Sequence, residues 1–235
     1  MSGRMPLAYA HWELRDAARG PGAIILAIAV LAGFIMTRLP AVQTFTTEGA
    51  VRAIAGQSLF PLVLVVTAGM VSRDLNDGYY RAYFSRPVSP SLFYLQRWLI
   101  GGCVLLLYIP LLTAATAVRT GDLGVPLWIA GRAALLYLVL GGTVLLLSTL
   151  IRRDWVVAAV LYVTEQILHA VHAAGETLGP LARAIYTVLP PFHVGAIDGA
   201  PGSGEIWGAV GYGVGLVLAA LAVLRWRALG SGGRA

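Results

Sequence analysis

Lysine is absent from this sequence of 235 residues, and all 17 of its basic residues are arginine. Charged residues make up only 12% of the chain, about half the share usual in soluble domains. A Walker A loop needs a lysine to reach the nucleotide phosphates, so the chain is not itself a P-loop ATPase. The single cysteine, Cys103, rules out an internal disulfide and is expected to be a small core residue.

Motifs of common enzymes are missing as well. The sequence contains neither a G-x-S-x-G nucleophile elbow nor an H-E-x-x-H zinc-protease signature. Its arginines are scattered between apolar blocks rather than arranged in a basic stripe with aromatics, which argues against a nucleic-acid partner. A net charge of +6 is better explained by a bilayer with an anionic inner leaflet.

Long apolar runs dominate what remains, and 58% of the residues are hydrophobic. Six blocks approach the roughly 20 residues that a helix needs to cross the hydrocarbon core. Because unpaired backbone groups are not tolerated in lipid, each block is predicted to be a transmembrane helix of an all-α membrane protein. Tryptophans at block ends, where amphipathic rings favour the headgroup level, support these limits. The predicted spans are 22–39, 56–72, 98–118, 127–150, 155–174 and 207–224.

Arginine positions predict the orientation. With the N-terminus inside, twelve arginines lie in cytoplasmic segments and four on the opposite side, leaving out Arg132 within the fourth span. Short loops follow this positive-inside bias, so both termini are expected to be cytoplasmic, in the inner membrane. We expect no cleaved signal peptide, because the first apolar block is too long and follows about twenty residues that include acidic ones.

Two segments outside the spans have a helical pattern. Residues 1–20 include an amphipathic stretch that we predict to be an in-plane elbow helix, although a simple lead-in to the first span fits too. The extracytoplasmic segment 175–205 contains an apolar run, 181–189, that is too short to cross the bilayer and is followed by Pro190-Pro191. It is predicted to form short re-entrant helices, with a helix lying on the lipid surface as the alternative.

The cytoplasmic loop 73–90, between spans two and three, is rich in aromatic and charged residues. Tyr79, Tyr80, Tyr83 and Phe84 recur at helical spacing, and Pro87 ends that helix. Exposed tyrosines and arginines are typical of protein interfaces, which favours a docking surface. A loop anchored in the headgroups would favour the same residue types, so composition leaves both readings open.

The same loop resembles that of the permease subunits of ABC-2 type transporters. The resemblance is carried by Arg73-Asp74-x-x-Asp77-Gly78, by Pro87-Val88-Ser89 and by Arg97 at the start of the third span. It extends over nearly the whole chain, through the elbow helix, six spans, a long second loop and a broken segment before span six. Its motifs are persuasive in combination with this topology rather than singly.

The resemblance implies a function and partners. The chain would be a permease subunit of an exporter, paired with itself or a relative, in one substrate pathway. Two copies of a separate ATPase subunit would bind ATP and Mg²⁺, so no cofactor is expected in this chain. The loop would be the coupling helix that contacts the ATPase. The implied coupling residues are Arg73, Asp74, Asp77, Gly78, Tyr80, Arg81, Tyr83 and Pro87.

Span five carries ionisable residues at membrane depth, where such groups are costly and often functional. Glu165, His169, His172 and Glu176 follow each other at steps of four, three and four, on one helix face. The first three are predicted to line the substrate pathway. Structural hydrogen bonding between helices and proton or metal chemistry stay open as alternatives, and we assign no metal site from one stripe.

The remaining intramembrane features suggest packing. Gly211 and Gly215, with Gly208 upstream, would let another helix approach span six closely. Arg132, one turn inside Trp128, is expected to snorkel outward.

The main rival to the permease is an ion-coupled secondary transporter or channel that uses Glu165 and His169, although the two halves show no convincing inverted repeat. A membrane enzyme or non-transport scaffold is a further rival, for which the sequence offers no site.

Overall fold

The computed structural model describes Arg15 and residues 58–78, 89–120, 124–195 and 201–231. Along 108–120, 125–126 and 228–231 it describes the backbone alone. Within these ranges the regular structure is helical throughout, without a strand, as the apolar blocks predict. The elements in chain order are α1 (Ser58–Asn76), α2 (Pro90–Thr120), α3 (Gly124–Leu136), a π turn (Tyr137–Gly141), α4 (Gly142–Leu150), α5 (Asp154–Ala173), α6 (Pro180–Val188), a 3₁₀ helix (Phe192–Gly195) and α7 (Ser203–Ser231).

Five helices of the described ranges are long and apolar enough to span a membrane. The chain is therefore an all-α, multi-pass membrane protein. These helices correspond to five of the six predicted spans, and the third one, Leu127–Leu150, runs continuously through α3, the π turn and α4. The predicted span 22–39 lies outside the described residues. So does the elbow segment 1–20 except for Arg15, which is helical and exposed.

The unit formed by α3, the π turn and α4 is the centre of the bundle. In an 18-residue window of this span 67% of the residues are buried, against 11% to 44% in the corresponding windows of the other four. It packs against α2, α5 and α7. The π turn places the buried Tyr137 against α2, where its hydroxyl donates to the carbonyl oxygen of Trp98 at 2.5 Å. The central span is therefore in contact with three of the other helices, and Tyr137 fixes one of them by a hydrogen bond.

Helix α1 is broken near its end by a turn at 68–71. Gly69 has a φ of +71°, a left-handed conformation that glycine adopts without steric cost. Its amide donates to Asp154 Oδ2 at 2.9 Å. The amides of Val71 and Ser72 donate to Ser148 Oγ, each at 2.9 Å. A break inside an apolar bundle needs such partners for the freed N–H groups, and the buried Asp154 and Ser148 supply them.

Helix α2 begins at Pro90, eight residues before the predicted limit of span three at 98. Proline suits the first helical position because its φ is preset and its missing N–H is not needed there. Trp98 consequently lies two turns inside the helix and is only 7% exposed, packed on Tyr137 with ring centroids 5.0 Å apart. It is thus a buried core residue.

Cys103, expected in the core, is instead exposed on α2. Leu99, Leu106 and Leu107 of the same helix are also exposed. A helix face of this composition suits contact with lipid. In a helix that is apolar all round, the sequence therefore does not show which face contacts lipid and which faces the core.

Helix α7 approaches the central span through glycine, although not through the predicted pair. An ideal Cβ on Gly213 would lie 2.7 Å from Leu138 Cγ and 3.0 Å from the backbone carbon of Leu138. An ideal Cβ on Gly142 would likewise lie 3.2 Å from the carbonyl oxygen of Gly213. A Cβ on Gly211 or Gly215 would meet nothing within 4 Å among the described residues. The helix contact therefore uses Gly213, and Gly211 and Gly215 lie on an open face.

Candidate functional site

Glu165 is the centre of a polar cluster inside the apolar bundle. It lies about halfway along α5 and is 1% exposed. Its Oε1 is 2.5 Å from Nδ1 of His193 and 3.4 Å from the backbone nitrogen of the same residue. Its Oε2 accepts a hydrogen bond from Gln166 Nε2 at 2.9 Å. A buried carboxylate requires such partners, because an unpaired charge in this environment is strongly unfavourable.

His169 lies one turn further along α5, on the face of Glu165. Its imidazole stacks on that of His193, with ring centroids 4.1 Å apart and planes inclined by 9°. Its Nδ1 is 3.0 Å from the hydroxyl of Tyr186 on α6. Burial raises the pKa of the Tyr186 phenol, and the charges of Glu165 and Glu205 act in the same direction. The phenol therefore keeps its proton at neutral pH and can donate to the imidazole.

The short elements before α7 bring these side chains to α5. Helix α6 has nine residues, which gives a length of about 14 Å, too short to cross a bilayer. It begins at Pro180 and is followed by Pro190-Pro191, after which the 3₁₀ helix carries His193. The predicted short helices are thus present in the segment 175–205, whose residues 196–200 lie outside the described ranges.

Arg132 fixes the 3₁₀ helix from the side of α3. The expectation that it snorkels outward is wrong, because it is only 6% exposed. Its Nη1 donates to the carbonyl oxygen of Val194 at 2.6 Å, and its guanidinium lies 5.2 Å from the centroid of the Trp128 ring. A single 3₁₀ turn leaves carbonyl groups without helical partners, and the guanidinium satisfies one of them.

The structure brings together only part of the predicted stripe. Glu165 and His169 share the cluster, whereas His172 and Glu176 are exposed. The ring of His172 contacts that of Tyr186, with centroids 5.8 Å apart. His193 and Tyr186 were missed, because helical spacing along α5 cannot find residues of other elements. A histidine two residues after Pro190-Pro191, in a predicted re-entrant segment, was the available signal.

Glu165, His169 and His193 are also the residues of this site that could hold a metal ion. One carboxylate oxygen and one nitrogen from each ring lie within 4.8 Å of one another. Nearby, a cavity of about 380 Å³ is lined by Tyr186 and by polar residues around the end of α5, among them His172, Glu176 and Arg183.

A second polar cluster joins the two ends of the loop 73–90. Asp74, at the end of α1, is 7% exposed. Its Oδ2 accepts hydrogen bonds from the Tyr94 hydroxyl and from Arg97 Nη1, each at 3.1 Å. Arg97 Nη1 also donates to the carbonyl oxygen of Met70 at 3.1 Å. Residues 23 positions apart in sequence thereby tie the end of α1 to the start of α2.

The predicted coupling residues differ in exposure, and half of them lie outside the described residues. Arg73, Asp77 and Gly78 are exposed, and Gly78 has a φ of +76°, which suits glycine at the end of the helical segment. Asp74, in contrast, is buried. The remaining four lie outside the described residues: Tyr80, Arg81, Tyr83 and Pro87.

Comparison with known proteins adds no family to these observations. No model of a known protein family matches the chain, and no curated protein is significantly similar to it in sequence.

Proposed function

We propose that the chain is the transmembrane permease subunit of an ABC-2 type exporter, which forms a substrate pathway as a dimer and is driven by a separate ATPase subunit. The observation that carries the proposal is the contact of Asp74 with Arg97 and Tyr94. It involves two of the residues on which the sequence resemblance rests, and it lies at the root of the loop expected to bind the ATPase.

The contact gives the loop a mechanical connection to two spans. Because Asp74 belongs to α1 and Arg97 to α2, a force on the loop reaches both helices rather than unwinding one of them. Hydrogen bonds between charged groups are stronger than those between neutral groups, which suits a contact that transmits force between two helices. Rigid-body displacement of packed helices is a common way for such a push to cross a membrane domain.

The charged side chains at the start of the loop 73–90 differ in exposure, and this difference fits a docking surface. Arg73 and Asp77 face outward while Asp74 faces the bundle. Arg73 and Asp77 also line a groove of about 490 Å³ that extends along α1 to Arg152 and Trp155 at the start of α5. A partner bound at the loop would therefore meet charged side chains on one surface.

The polar cluster around Glu165 supports a transport role. Glu165, His169 and His193 place ionisable groups between a candidate span and two short helices, in a bundle whose core is mainly apolar. Ionisable residues at membrane depth commonly mark the pathway of a substrate or an ion. The exporter proposal places the outer part of the pathway here, with His172 and the adjoining cavity on its polar side.

Co-purification tests the proposal. The tagged chain is extracted from its native membrane in mild detergent, and a soluble subunit with a Walker A loop is expected to purify with it in equal amount. The double variant Tyr80→Ala/Arg81→Ala should lose this subunit and still elute from gel filtration as a single, unaggregated species. Arg225→Ala/Arg227→Ala, which alters two exposed arginines near the end of α7, is the control and should keep the subunit. An ATPase retained by the Tyr80/Arg81 variant means that the docking assignment is wrong.

An ion-coupled secondary transporter is the second candidate, and the buried contact between Glu165 and His193 favours it. Ionisable residues at membrane depth commonly mark the pathway of an ion. This candidate predicts a stable assembly without any ATPase, and transport that responds to a proton gradient and is lost in Glu165→Gln. Transport that requires ATP and is indifferent to the gradient excludes it.

A further inference from the structure

We propose that Glu165, His169 and His193 bind one divalent transition-metal ion, of which zinc is the best match, and that this ion links α5 to the 3₁₀ helix. The inference does not depend on whether the transporter is driven by ATP or by an ion gradient. It rests on the ligand types, their separation and their supporting contacts.

The ligand set has the chemistry of a zinc site. Two imidazoles and one carboxylate are a known three-ligand combination for zinc, with a fourth position left to water or another ligand. The three ligand atoms lie within 4.8 Å of one another. Ligands bound at about 2.0–2.2 Å in tetrahedral geometry lie roughly 3.4 Å apart. The three ligand atoms therefore have to move closer together for an ion to bind.

His169 and Glu165 are each held in place by a group other than the three ligands. The hydroxyl of Tyr186 holds Nδ1 of His169, and Gln166 holds Oε2 of Glu165. Ligands of metal sites are oriented by outer partners of this kind, which fix the ring and limit its rotation. The buried Phe192 packs on Tyr162 beside Glu165, with ring centroids 5.6 Å apart, and shields that side from water.

Ring nitrogens are available for an ion. Each histidine uses its Nδ1 for a hydrogen bond, to Tyr186 or to Glu165. The Nε2 of His169 has no hydrogen-bond partner within the described part of the chain. In His193 it is the Nδ1 that faces the carboxylate, so an ion shared with Glu165 would replace that hydrogen bond. The stacking keeps the two rings close together, with planes 9° apart, and one ring has to tilt for both to bind a common ion.

An ion bound there would connect segments that are distant in sequence. His193 lies 28 positions after Glu165 and belongs to a single 3₁₀ turn. Apart from the contact with Glu165, the polar contact of that turn with the bundle among the described residues is the hydrogen bond from Arg132 to Val194; its other contacts are apolar, through the buried Phe192 and Val194. Metal binding should therefore stabilise the segment between α6 and α7, and zinc should raise the unfolding temperature of the chain.

The first measurement uses the unaltered chain, purified without a histidine tag and stripped with a chelator. Zinc is added by equilibrium dialysis, and bound metal is counted by mass spectrometry. One zinc per chain is expected. Cobalt(II) in its place should show the strong visible absorption of a four- or five-coordinate ion. Binding of no metal, or a cobalt spectrum like that of the hydrated ion, overturns the proposal without reference to any variant.

Variants then identify the ligands. His193→Gln keeps a group that can hydrogen-bond Glu165 but removes an imidazole, and His169→Asn does the same opposite Tyr186. Each should weaken zinc binding by more than the roughly 10- to 100-fold that loss of a supporting residue causes. Tyr186→Phe, which removes a supporting hydroxyl, should fall within that range.

His172→Ala is the matched control, because it removes a histidine of the same helix face that lies outside the set of three. It should bind zinc as the unaltered chain does and should show the same rise in unfolding temperature. Equal affinity in His172→Ala and His193→Gln, whether high or low, contradicts the site. None of these measurements involves an ATPase or transport, so their outcome is independent of that of the proposed function.

Discussion

A single buried arginine shows how residues determine local structure in this bundle. Arg132 donates to the carbonyl oxygen of Val194, and both groups are buried. Arg132→Met keeps much of the volume but leaves that carbonyl without its donor, which typically costs about 1–3 kcal/mol. We expect a lower midpoint of thermal unfolding in detergent, followed by circular dichroism. Arg183→Met, at an exposed position of α6, should leave the midpoint unchanged. An unaltered midpoint for Arg132→Met would show that the hydrogen bond contributes nothing.

Backbone conformation at one glycine is a second test at this scale. A Cβ on Gly69 would have ordinary contacts, the nearest 3.7 Å away on Arg73, so space is not the obstacle. The obstacle is its φ of +71°, which costs a residue with a Cβ roughly 1–2 kcal/mol. Gly69→Ala should therefore destabilise the chain by about that amount in the same thermal assay.

The control for this prediction is Gly131→Ala in α3, where a Cβ meets nothing within 4 Å of the described atoms. Alanine is a better helix former than glycine by about 0.8–1 kcal/mol, so this variant should be neutral or slightly more stable. If both alanine variants behave alike, strain at Gly69 is not the reason for glycine there.

At the scale of elements, the crossing of α7 over the central span depends on Gly213. Its Cβ would meet the backbone of Leu138, which cannot move aside as a flexible side chain could. Gly213→Ala should open the helix contact and destabilise the bundle by about 1–3 kcal/mol, as overpacking commonly does. Gly211→Ala, on the open face of the same helix, should unfold at the temperature of the parent chain. A greater loss for Gly211→Ala would mean that a second subunit packs on that face.

The elements also show how far the sequence alone could lead. Hydropathy located the end of the central span at Leu150 but placed its start three residues after Gly124, where α3 begins, and it located α5 within one residue of the predicted 155–174. It missed the turn at 68–71, because that turn depends on Asp154, 85 positions away from Gly69. It also placed the start of α2 too late, since Arg97 reads as a charge outside the membrane until its contact with Asp74 is known.

Part of the polar site could likewise be predicted from the sequence, and part of it could not. The spacing of four residues along one helix predicted that Glu165 and His169 lie on the same face, because this relation depends only on local sequence. His193 reaches them only through the path of α6 and the 3₁₀ helix, which no periodicity describes. Arg132 was misjudged for a similar reason, since its partner carbonyl belongs to that same distant turn.

At the scale of the whole molecule, the contact between Asp74 and Arg97 predicts a separation of binding from coupling. Arg97→Met removes a hydrogen bond to a charged group, which is worth about 1.5–3 kcal/mol, but leaves the exposed loop residues intact. Under the exporter proposal this variant should still purify with the ATPase, while transport measured in vesicles falls sharply. Loss of the ATPase from Arg97→Met would show instead that the contact shapes the docking surface itself.

The outward thiol of α2 has a consequence for spectroscopy. Because Cys103 is the chain's single cysteine and is exposed, a nitroxide can be attached at one defined place without replacing any other residue. Its relaxation by dissolved oxygen, which concentrates in hydrocarbon, and by an aqueous nickel chelate would report the depth of that place in a bilayer. Strong relaxation by oxygen and weak relaxation by nickel is expected for a lipid-facing α2. In a symmetric pair of chains, the two labels would also give one distance, which measures how the subunits are spaced.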